Sequence, residues 1–294
     1  MKKFWTYIKH QKTYHQGISS LKQDGKLITD PIPKTNVMNG QFKSVFSNSD
    51  TITESEFETN CKLSIKSNLQ TMPDITVTCE GIAKLLLNLN PNKAAGSDEI
   101  KPRVLKELAT EIPPISTINF QISLDSGVVP SDWKTAHVVP VYKKGPKYNP
   151  ENHRPISLTC ICCKLLEHIV VSNIMSHADK YSILYPFQHG FHKFRSCETQ
   201  LLEFIDDVTR NLDDGKQTDV LIMDFSKAFD KVSHNLLIHK LKHYGIRGKE
   251  TELKVSYHVE LRQSLLRVNN LHTSLSILEC PMVQSLDQVC SYTT

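Results

Sequence analysis

The chain has 294 residues and a mass of 33.4 kDa, with 39% hydrophobic and 22% charged residues and a net charge of +4. This length allows one large domain or two small ones with a substantial core, and the composition is typical of globular proteins. No apolar run has the length of a membrane-spanning helix, and residues 1–17 lack the apolar stretch of a secretory signal. We therefore predict an intracellular protein, nuclear or cytoplasmic, without a membrane partner.

The first part of the chain, residues 1–75, is polar and loosely patterned. The sequence LKQDGKLITDP predicts two short extended segments around an Asp-Gly turn. MNGQFKSVFSNSD predicts a helix with Phe42, Val45 and Phe46 on one face. A stretch rich in Ser, Thr, Asn and Glu then leads to about residue 70.

From residue 76 the hydrophobic pattern becomes regular. TCEGIAKLLLNLNPNK predicts a capped helix that stops before Pro91 and has four inward-facing residues, Ile82, Leu85, Leu86 and Leu89. RVLKELATEI and ISTINFQISLDSG predict helices separated at Pro113-Pro114, the second ending at Gly127. WKTAHVVPVYKKG predicts a strand, a turn-rich loop follows to Pro150, and ISLTCICCKLLEHIVVSNIMSHAD predicts a long helix.

The remaining elements surround one continuous apolar run. SCETQLLEFIDDVTRNLDDG predicts a helix with Ser196 as N-cap and Gly215 at its end. Its apolar face is expected to consist of Leu201, Leu202, Ile205, Val208 and Leu212. TDVLIMDF predicts a strand buried on both faces, because its apolar residues do not alternate with polar ones. HNLLIHKLKHYG predicts a final helix that ends at Gly245, and helices between non-adjacent strands indicate the α+β class.

Eight cysteines occur, three of them in the apolar, helix-like cluster CICC at residues 160–163. We interpret these as buried free thiols in a reducing compartment rather than as a zinc site.

The most basic stretch is residues 134–154, with five Lys or Arg residues against a single acid, Glu151. Such a run is typical of a loop that faces phosphate groups, and more often of an ordinary solvated loop. Charge alone leaves both interpretations open.

Asp224 directly follows the predicted buried strand, a place where a sheet could hold a metal-binding carboxylate. The alternative is an N-cap that starts the next helix. Asp230 is a poor partner, since six residues span roughly 20 Å of strand or about 9 Å of helix on another face. Asp206 and Asp207, in the sequence FIDD, are expected on the solvent side of their helix beside Arg210.

Several segments in this order resemble one family. NKAAGSDEI, PSDWKTAHVVPVYKKG, NHRPISLT, QHGFHKFRSCETQLLEF and DVLIMDFSKAFDKVSHNLLIHKLKHYGI are similar to the reverse transcriptases of non-LTR retrotransposons of the LINE type, jockey or CR1-like. The combination is specific, although each segment alone would be weak. It covers about residues 76–250, and residues 1–75 more loosely resemble the connection between endonuclease and polymerase in that family.

The resemblance implies a right-hand polymerase fold. Residues 76–217 would form the fingers and residues 218–270 the start of an incomplete palm, without a thumb. Residues 271–294 do not match and are expected to be a degenerate tail. When the codons for residues 287–293 are read in a frame shifted by one base, the sequence GPGLFLY becomes possible, which resembles a missing family motif. We hypothesise a single-base deletion in the gene, or a sequencing or gene-model error, at this place.

The resemblance also implies roles for particular residues. Asp224 would be the first catalytic, metal-binding aspartate, in a family that uses Mg²⁺, and Phe229 would exclude a 2′-hydroxyl from the incoming nucleotide. The implied partners are an RNA template, a DNA primer and a deoxynucleoside triphosphate. The triphosphate would be held by Lys143, Lys144 and Arg154, and the template would lie near Lys193 and Arg195.

Departures from the family pattern concern template handling more than fold. His192 stands at a usual Arg, and His153 at a usual Tyr. Phe194 and Glu99 each stand where Gly is common. The second carboxylate motif, (F/Y)xDD, is not found after Asp224, because FIDD precedes it.

Three readings follow for function. The first is a polymerase by descent that lacks activity. The second is a non-catalytic nucleic-acid-binding fragment, and the third is an expressed pseudogene product prone to aggregation.

Overall fold

A computed structural model describes residues 18–44, 69–224 and 234–246, which form seven α-helices and four short strands. In chain order these are β1 (Leu21–Gln23), β2 (Lys26–Ile28), α1 (Pro31–Lys43), α2 (Cys79–Leu87), α3 (Pro102–Glu107), α4 (Pro113–Ser126), β3 (Ala136–Tyr142), β4 (His153–Thr159), α5 (Ile161–Lys180), α6 (Cys197–Asp213) and α7 (His234–His243). The strands pair as two antiparallel hairpins, β1 with β2 and β3 with β4. This mixture of helices and small sheets agrees with the predicted α+β class. Within the described ranges no helix could span a bilayer.

The predicted Asp-Gly turn joins β1 to β2. Asp24 has φ 49° and Gly25 has φ 81°. Positive φ at both central residues is the geometry of the tight turns that match the twist of a hairpin. The following helix α1 begins at Pro31, earlier than predicted, because proline is well suited to a first helical turn. Val45 and Phe46 lie outside the described residues.

Capping residues set the ends of several helices as the sequence predicts. The Thr78 side chain accepts a hydrogen bond from the Gly81 amide at the start of α2. Ser196 and Thr199 form a capping box at the start of α6. Gly127 ends α4 with φ 70°, a left-handed conformation that glycine adopts at no steric cost.

The main core lies between α2, α4, α5 and α7. Its members include Ile82, Leu86, Phe120, Leu124, Leu166, Val170, Ile174, Leu237 and Leu241, all buried. Trp133 packs edge-on against Phe120, with 5.4 Å between ring centroids. The end of α7 is fixed to α5, because His177 Nε2 lies 2.9 Å from the carbonyl oxygen of Tyr244. The inward positions predicted for α2 are confirmed, with Ile82 and Leu86 buried and Leu85 and Leu89 packed at the edge.

A second, smaller core joins residues 18–44 to β3. Leu21, Met38, Phe42 and Val138 are buried together. The β1–β2 hairpin and α1 are therefore packed against the β3–β4 hairpin and do not simply connect other parts of the chain.

Strand β4 was not among the predicted elements. Its sequence HRPISLT contains a proline, and Pro155 pairs directly with Pro140 of β3. Lys143 donates a backbone hydrogen bond to Asn152 at 2.8 Å. Since hydrogen-bonded pairs alternate in an antiparallel ladder, the two prolines fall at a pair that needs no N–H donor. The helix predicted from ISLTCICC therefore begins only at Ile161, after the strand.

Two predictions about burial are wrong. Residues 218–224 form no strand, and Leu221, Ile222 and Met223 are 82%, 89% and 75% exposed. A strand buried on both faces needs neighbouring strands and a layer on each face, and the described residues place none against this segment. The apolar face of α6 is also exposed, because no other described element covers it; Leu201, Leu202, Ile205 and Leu212 are at least half exposed.

Candidate functional site

The basic loop, residues 143–152, connects β3 to β4 and is tightly folded. Asn152 Nδ2 donates to the carbonyl oxygen of Pro146 at 2.9 Å. Gly145 has φ 88°, and a Cβ there would lie 2.7 Å from Asn152 Nδ2. Glycine is therefore needed at residue 145 both for its conformation and for space. The loop holds its lysines in place through backbone and side-chain bonds.

The β3–β4 register brings two of the predicted triphosphate-binding residues to one face. Arg154 pairs with Val141, and Lys143 lies diagonally across from Arg154 at the next pair. Such diagonal neighbours share a face of the sheet with roughly 7–8 Å between them. On this face Val139, Val141 and Ile156 are exposed, whereas the opposite face is packed on the protein. The exposed face thus carries two cations beside an apolar surface.

The basic side chains of this region are not neutralised by nearby acids. Lys143, Lys144 and Arg154 are exposed, and none of them forms an ion pair within the described residues. Two exposed cations on one face of a hairpin repel each other, and a bound anion removes that repulsion. The geometry suits a multiply charged ligand such as a phosphate chain.

Asp224 is exposed at the end of residues 216–224. Within the described ranges, no three His, Cys, Asp or Glu side chains form a group that could hold a metal ion. Phe229 and Asp230 lie outside the described residues. Asp224 is therefore an accessible carboxylate. Among the described residues, the structure does not group it with other acidic side chains that could share a metal ion.

The acid pair of FIDD is a surface feature, as predicted. Asp206 and Asp207 are exposed on α6, and both pair with Arg210, Asp207 at 3.7 Å. An ion pair between neighbouring turns is the ordinary environment of such acids on a helix.

The two predicted template-binding residues have different environments. Lys193 is exposed, whereas Arg195 lies 4.0 Å from a carboxylate oxygen of Glu203. The buried ring of His189 hydrogen-bonds both Glu203 and Thr199 at 2.8 Å. Arg195 is thus tied to the start of α6, and His189 and Glu203, which the sequence analysis did not single out, position it.

Backbone conformation explains two departures from the family pattern. Glu99 has φ 57° and Phe194 has φ 62°. Both are left-handed conformations, which glycine adopts freely and other residues rarely adopt. The resemblance described above implies glycine at both positions, and the backbone conformation here is one that favours glycine. The Phe194 ring is also fully exposed.

The cysteines of CICC are free thiols at the start of α5, and Cys160 and Cys163 have the C-x-x-C spacing. Both are buried, in agreement with the prediction. Hydrogen bonding from Cys163 to the Cys160 sulfur lowers the pKa of Cys160. Burial raises the pKa of Cys162 to about 11. Within the described residues no further ligands complete a metal site around them.

Comparison with known proteins finds a match to a family model over part of the chain. Residues 141–279 match the family model described as "Reverse transcriptase (RNA-dependent DNA polymerase)". This match includes the basic loop, Arg154, α5, α6 and Asp224.

Several curated proteins of mobile elements are similar. The probable RNA-directed DNA polymerase from transposon BS of Drosophila melanogaster is 25% identical over 229 residues, 75% of this chain and 24% of that protein. The RNA-directed DNA polymerase from mobile element jockey of the same organism is 26% identical over 172 residues, 58% of this chain and 19% of that protein. A Pol polyprotein from the type-1 retrotransposable element R2 of Popillia japonica is 28% identical over 154 residues, 52% of this chain and 20% of that protein.

The aligned part spans about a quarter or less of each of these relatives. The family match at residues 141–279 includes the segment that ends in Asp224. Residues 141–279 thus match a reverse transcriptase domain, and the chain is similar to the RNA-directed DNA polymerases of non-LTR, LINE-type mobile elements.

Proposed function

We propose that this chain provides the nucleotide-binding fingers and the first metal-binding carboxylate of an RNA-directed DNA polymerase. The observation that carries the proposal is the pair of unpaired cations, Lys143 and Arg154, on the exposed face of the β3–β4 hairpin. The implied substrates are a deoxynucleoside triphosphate, an RNA template and a DNA primer.

The exposed hairpin face divides into two chemically different parts. Arg154 presents a planar fork of donors that can grip two phosphate oxygens at once, and Lys143 and Lys144 add point charges. The exposed side chains of Val141 and Ile156 lie beside them and offer apolar contact to the sugar and base. A nucleotide would match both parts of this face if its phosphates lay on the cations and its nucleoside lay on the apolar side chains.

Asp224 is suited to be one ligand of a magnesium ion, because Mg²⁺ prefers oxygen ligands and is usually held by one or two carboxylates and substrate phosphates. When bound, such an ion would supply positive charge for the transferring phosphate and the leaving group. In this proposal Asp224, at the end of segment 218–224, would hold that ion.

We expect the 294-residue chain on its own to bind nucleotide without extending a primer. The sequence contains one carboxylate in the family's metal-binding order, and the FIDD acids face solvent on α6 paired with Arg210. Two-metal catalysis needs ligands that bridge two ions roughly 3.5–4 Å apart. A lone carboxylate does not supply them.

Titration of the purified chain with a fluorescent deoxynucleoside triphosphate tests the proposal. Arg154→Ala should weaken binding about tenfold or more, because a charge-assisted bidentate contact is removed. Arg154→Lys should recover only part of the loss, because the fork is missing. The matched control is Lys101→Gln, which removes one exposed positive charge ahead of α3.

Equal affinities of the wild type and Arg154→Ala would refute the nucleotide site. Primer extension on an RNA template tests the expected lack of synthesis by this chain alone. Magnesium-dependent synthesis that is lost in Asp224→Ala would show that the 294 residues already contain a working catalytic centre.

The second candidate, a non-catalytic nucleic-acid-binding protein, is favoured by the unpaired basic loop alone. It predicts binding of RNA or DNA that weakens steeply with salt. The third reading, an aggregation-prone product, is favoured by the exposed apolar residues of α6 and of segment 220–223. A cooperative thermal transition without light scattering would count against it.

A further inference from the structure

Three cysteines lie where β4 meets α5, and the proposed function uses none of them. Cys160 caps the start of α5, and its sulfur accepts a hydrogen bond from the backbone amide of Cys163 at 3.4 Å. Cys160 and Cys163 are each 1% exposed, and both are free thiols. They form a buried pair of thiols at the first turn of one helix.

The Cys163 thiol has two acceptors beside it. It hydrogen-bonds to the Cys160 sulfur, and its own sulfur lies 3.3 Å from Oε1 of Glu167, one turn further along α5. Glu167 is itself buried. Residues three apart at a helix start are neighbours, and here the hydrogen bond already brings their two sulfurs together. Side-chain rotation within the first turn is therefore enough to join them.

The two partly or fully buried thiols that flank Ile161 differ in how easily they ionise. Hydrogen bonds from the Cys163 thiol and amide lower the pKa of Cys160, although burial opposes them. Burial raises the pKa of Cys162 to about 11. Since the thiolate is the reactive form, Cys160 is the more reactive of these two sulfurs. C-x-x-C pairs at a helix start are typical of redox-active proteins for this reason.

We propose that Cys160 and Cys163 form a reversible disulfide when the protein meets hydrogen peroxide. The Cys160 thiolate attacks one peroxide oxygen and the O–O bond breaks. Cys160 becomes a sulfenic acid, and the departing hydroxide forms water with the proton that Cys160 lost. The Cys163 sulfur then attacks the Cys160 sulfur, the S–O bond breaks, and the second hydroxide leaves as water with the Cys163 proton. The two cysteines lose two electrons in total, and the peroxide gains them.

The surroundings of the pair favour a bond that forms and is reduced again. Hydrogen peroxide is small and uncharged, so it can reach a buried sulfur that bulky reagents do not reach. The bond removes the S–H group that donates to Glu167, and a buried acceptor that loses a donor favours return to the dithiol. Cys162 does not compete for Cys160, because residues two apart on a helix do not face each other.

Mass spectrometry of peroxide-treated protein tests this proposal. The reference variant keeps only the three cysteines of CICC, and serine replaces Cys61, Cys79, Cys197, Cys280 and Cys290. After treatment with hydrogen peroxide its intact mass should fall by two hydrogen atoms, and digestion should map one bond, from Cys160 to Cys163. Dithiothreitol should restore the original mass. Digestion of the treated wild-type chain should map the same bond.

Single substitutions in the reference variant assign the two sulfurs. Cys160→Ser and Cys163→Ser should each lower the disulfide yield at least about tenfold, because a lone thiol has no partner to form the bond. Both variants should keep the fold, since serine is a good N-cap and its hydroxyl at residue 163 can still donate to Glu167. Cys162→Ser is the matched control and should leave the yield within about twofold of the reference. Circular dichroism checks the fold of each variant.

A reference variant that keeps its full mass in peroxide, while its urea-unfolded form is oxidised, would overturn the proposal. A bond that maps to Cys162, or sulfinic acid at Cys160 without any disulfide, would overturn it as well. The reaction involves no nucleotide, so the outcome of the triphosphate titration does not affect this test.

Discussion

The same substitution, glycine to alanine, is expected to have opposite effects at two positions. A Cβ at Gly96 would lie 2.4 Å from both Cys160 N and the carbonyl carbon of Thr159, where the loop after α2 meets the junction of β4 and α5. Real Cβ atoms do not approach backbone this closely, so the loop or the junction must move by roughly 1 Å. At Gly40, within α1, a Cβ meets nothing within 4 Å.

The magnitude at Gly96 follows from what the loop would lose. Ser97 Oγ lies 3.0 Å from both the carbonyl oxygen and the hydroxyl of Thr135. Losing these contacts costs about 1 kcal/mol each. Overpacking adds about 1–3 kcal/mol, so Gly96→Ala should destabilise the protein by about 3–5 kcal/mol in total.

Gly40→Ala should instead stabilise it by about 0.5–1 kcal/mol, because alanine has the higher helix propensity. Urea unfolding followed by tryptophan fluorescence, compared at equal m-values, measures both. An unchanged midpoint in Gly96→Ala would refute the close contact between the loop and the β4–α5 junction.

Two further predictions concern backbone strain and thiol reactivity. Glu99→Gly and Phe194→Gly should each stabilise the fold by about 0.5–1 kcal/mol in thermal melts. Glycine removes a left-handed backbone strain of about 1–2 kcal/mol, and the greater entropy of glycine in the unfolded chain offsets part of this gain. Alanine at either position should give no gain, and equal effects of alanine and glycine would contradict the strain. In alkylation at pH 8 mapped by mass spectrometry, Cys79 and Cys197 should react first among the cysteines of the described residues, since both are exposed. With a pKa of about 11, Cys162 should react about a hundredfold more slowly until the protein is unfolded.

Local signals in the sequence were sufficient for most helices and for one turn. Thr78, Ser196 and Gly127 mark helix ends because each satisfies backbone groups within a few residues of itself. The Asp24-Gly25 turn is likewise determined by two residues. Such elements are predictable because their cause is contained in the segment.

Features that depend on distant partners were missed or wrongly predicted. Strand β4 exists because β3 pairs with it along seven residues, with the prolines opposite each other. Segment 218–224 has the composition of a buried strand, but composition does not supply neighbouring strands. The contact between Lys22 and Tyr148 joins residues far apart in sequence, and no pattern near either residue indicates it.

The residues of the candidate site differ in how well the surrounding structure fixes their backbone positions. Arg154 lies in a strand with a paired register, and Lys143 is fixed by its backbone bond to Asn152, so the positions of their Cα atoms are set before any ligand arrives. Preorganised cations lose little freedom on binding, and their affinity for phosphate is realised directly.

Asp224 follows an exposed, unpaired segment, and no described strand fixes its position. A metal ion there must offset the cost of ordering that segment. In the proposed function, nucleotide recognition would therefore rest on the hairpin alone, and metal binding would require that residues 218–224 become ordered.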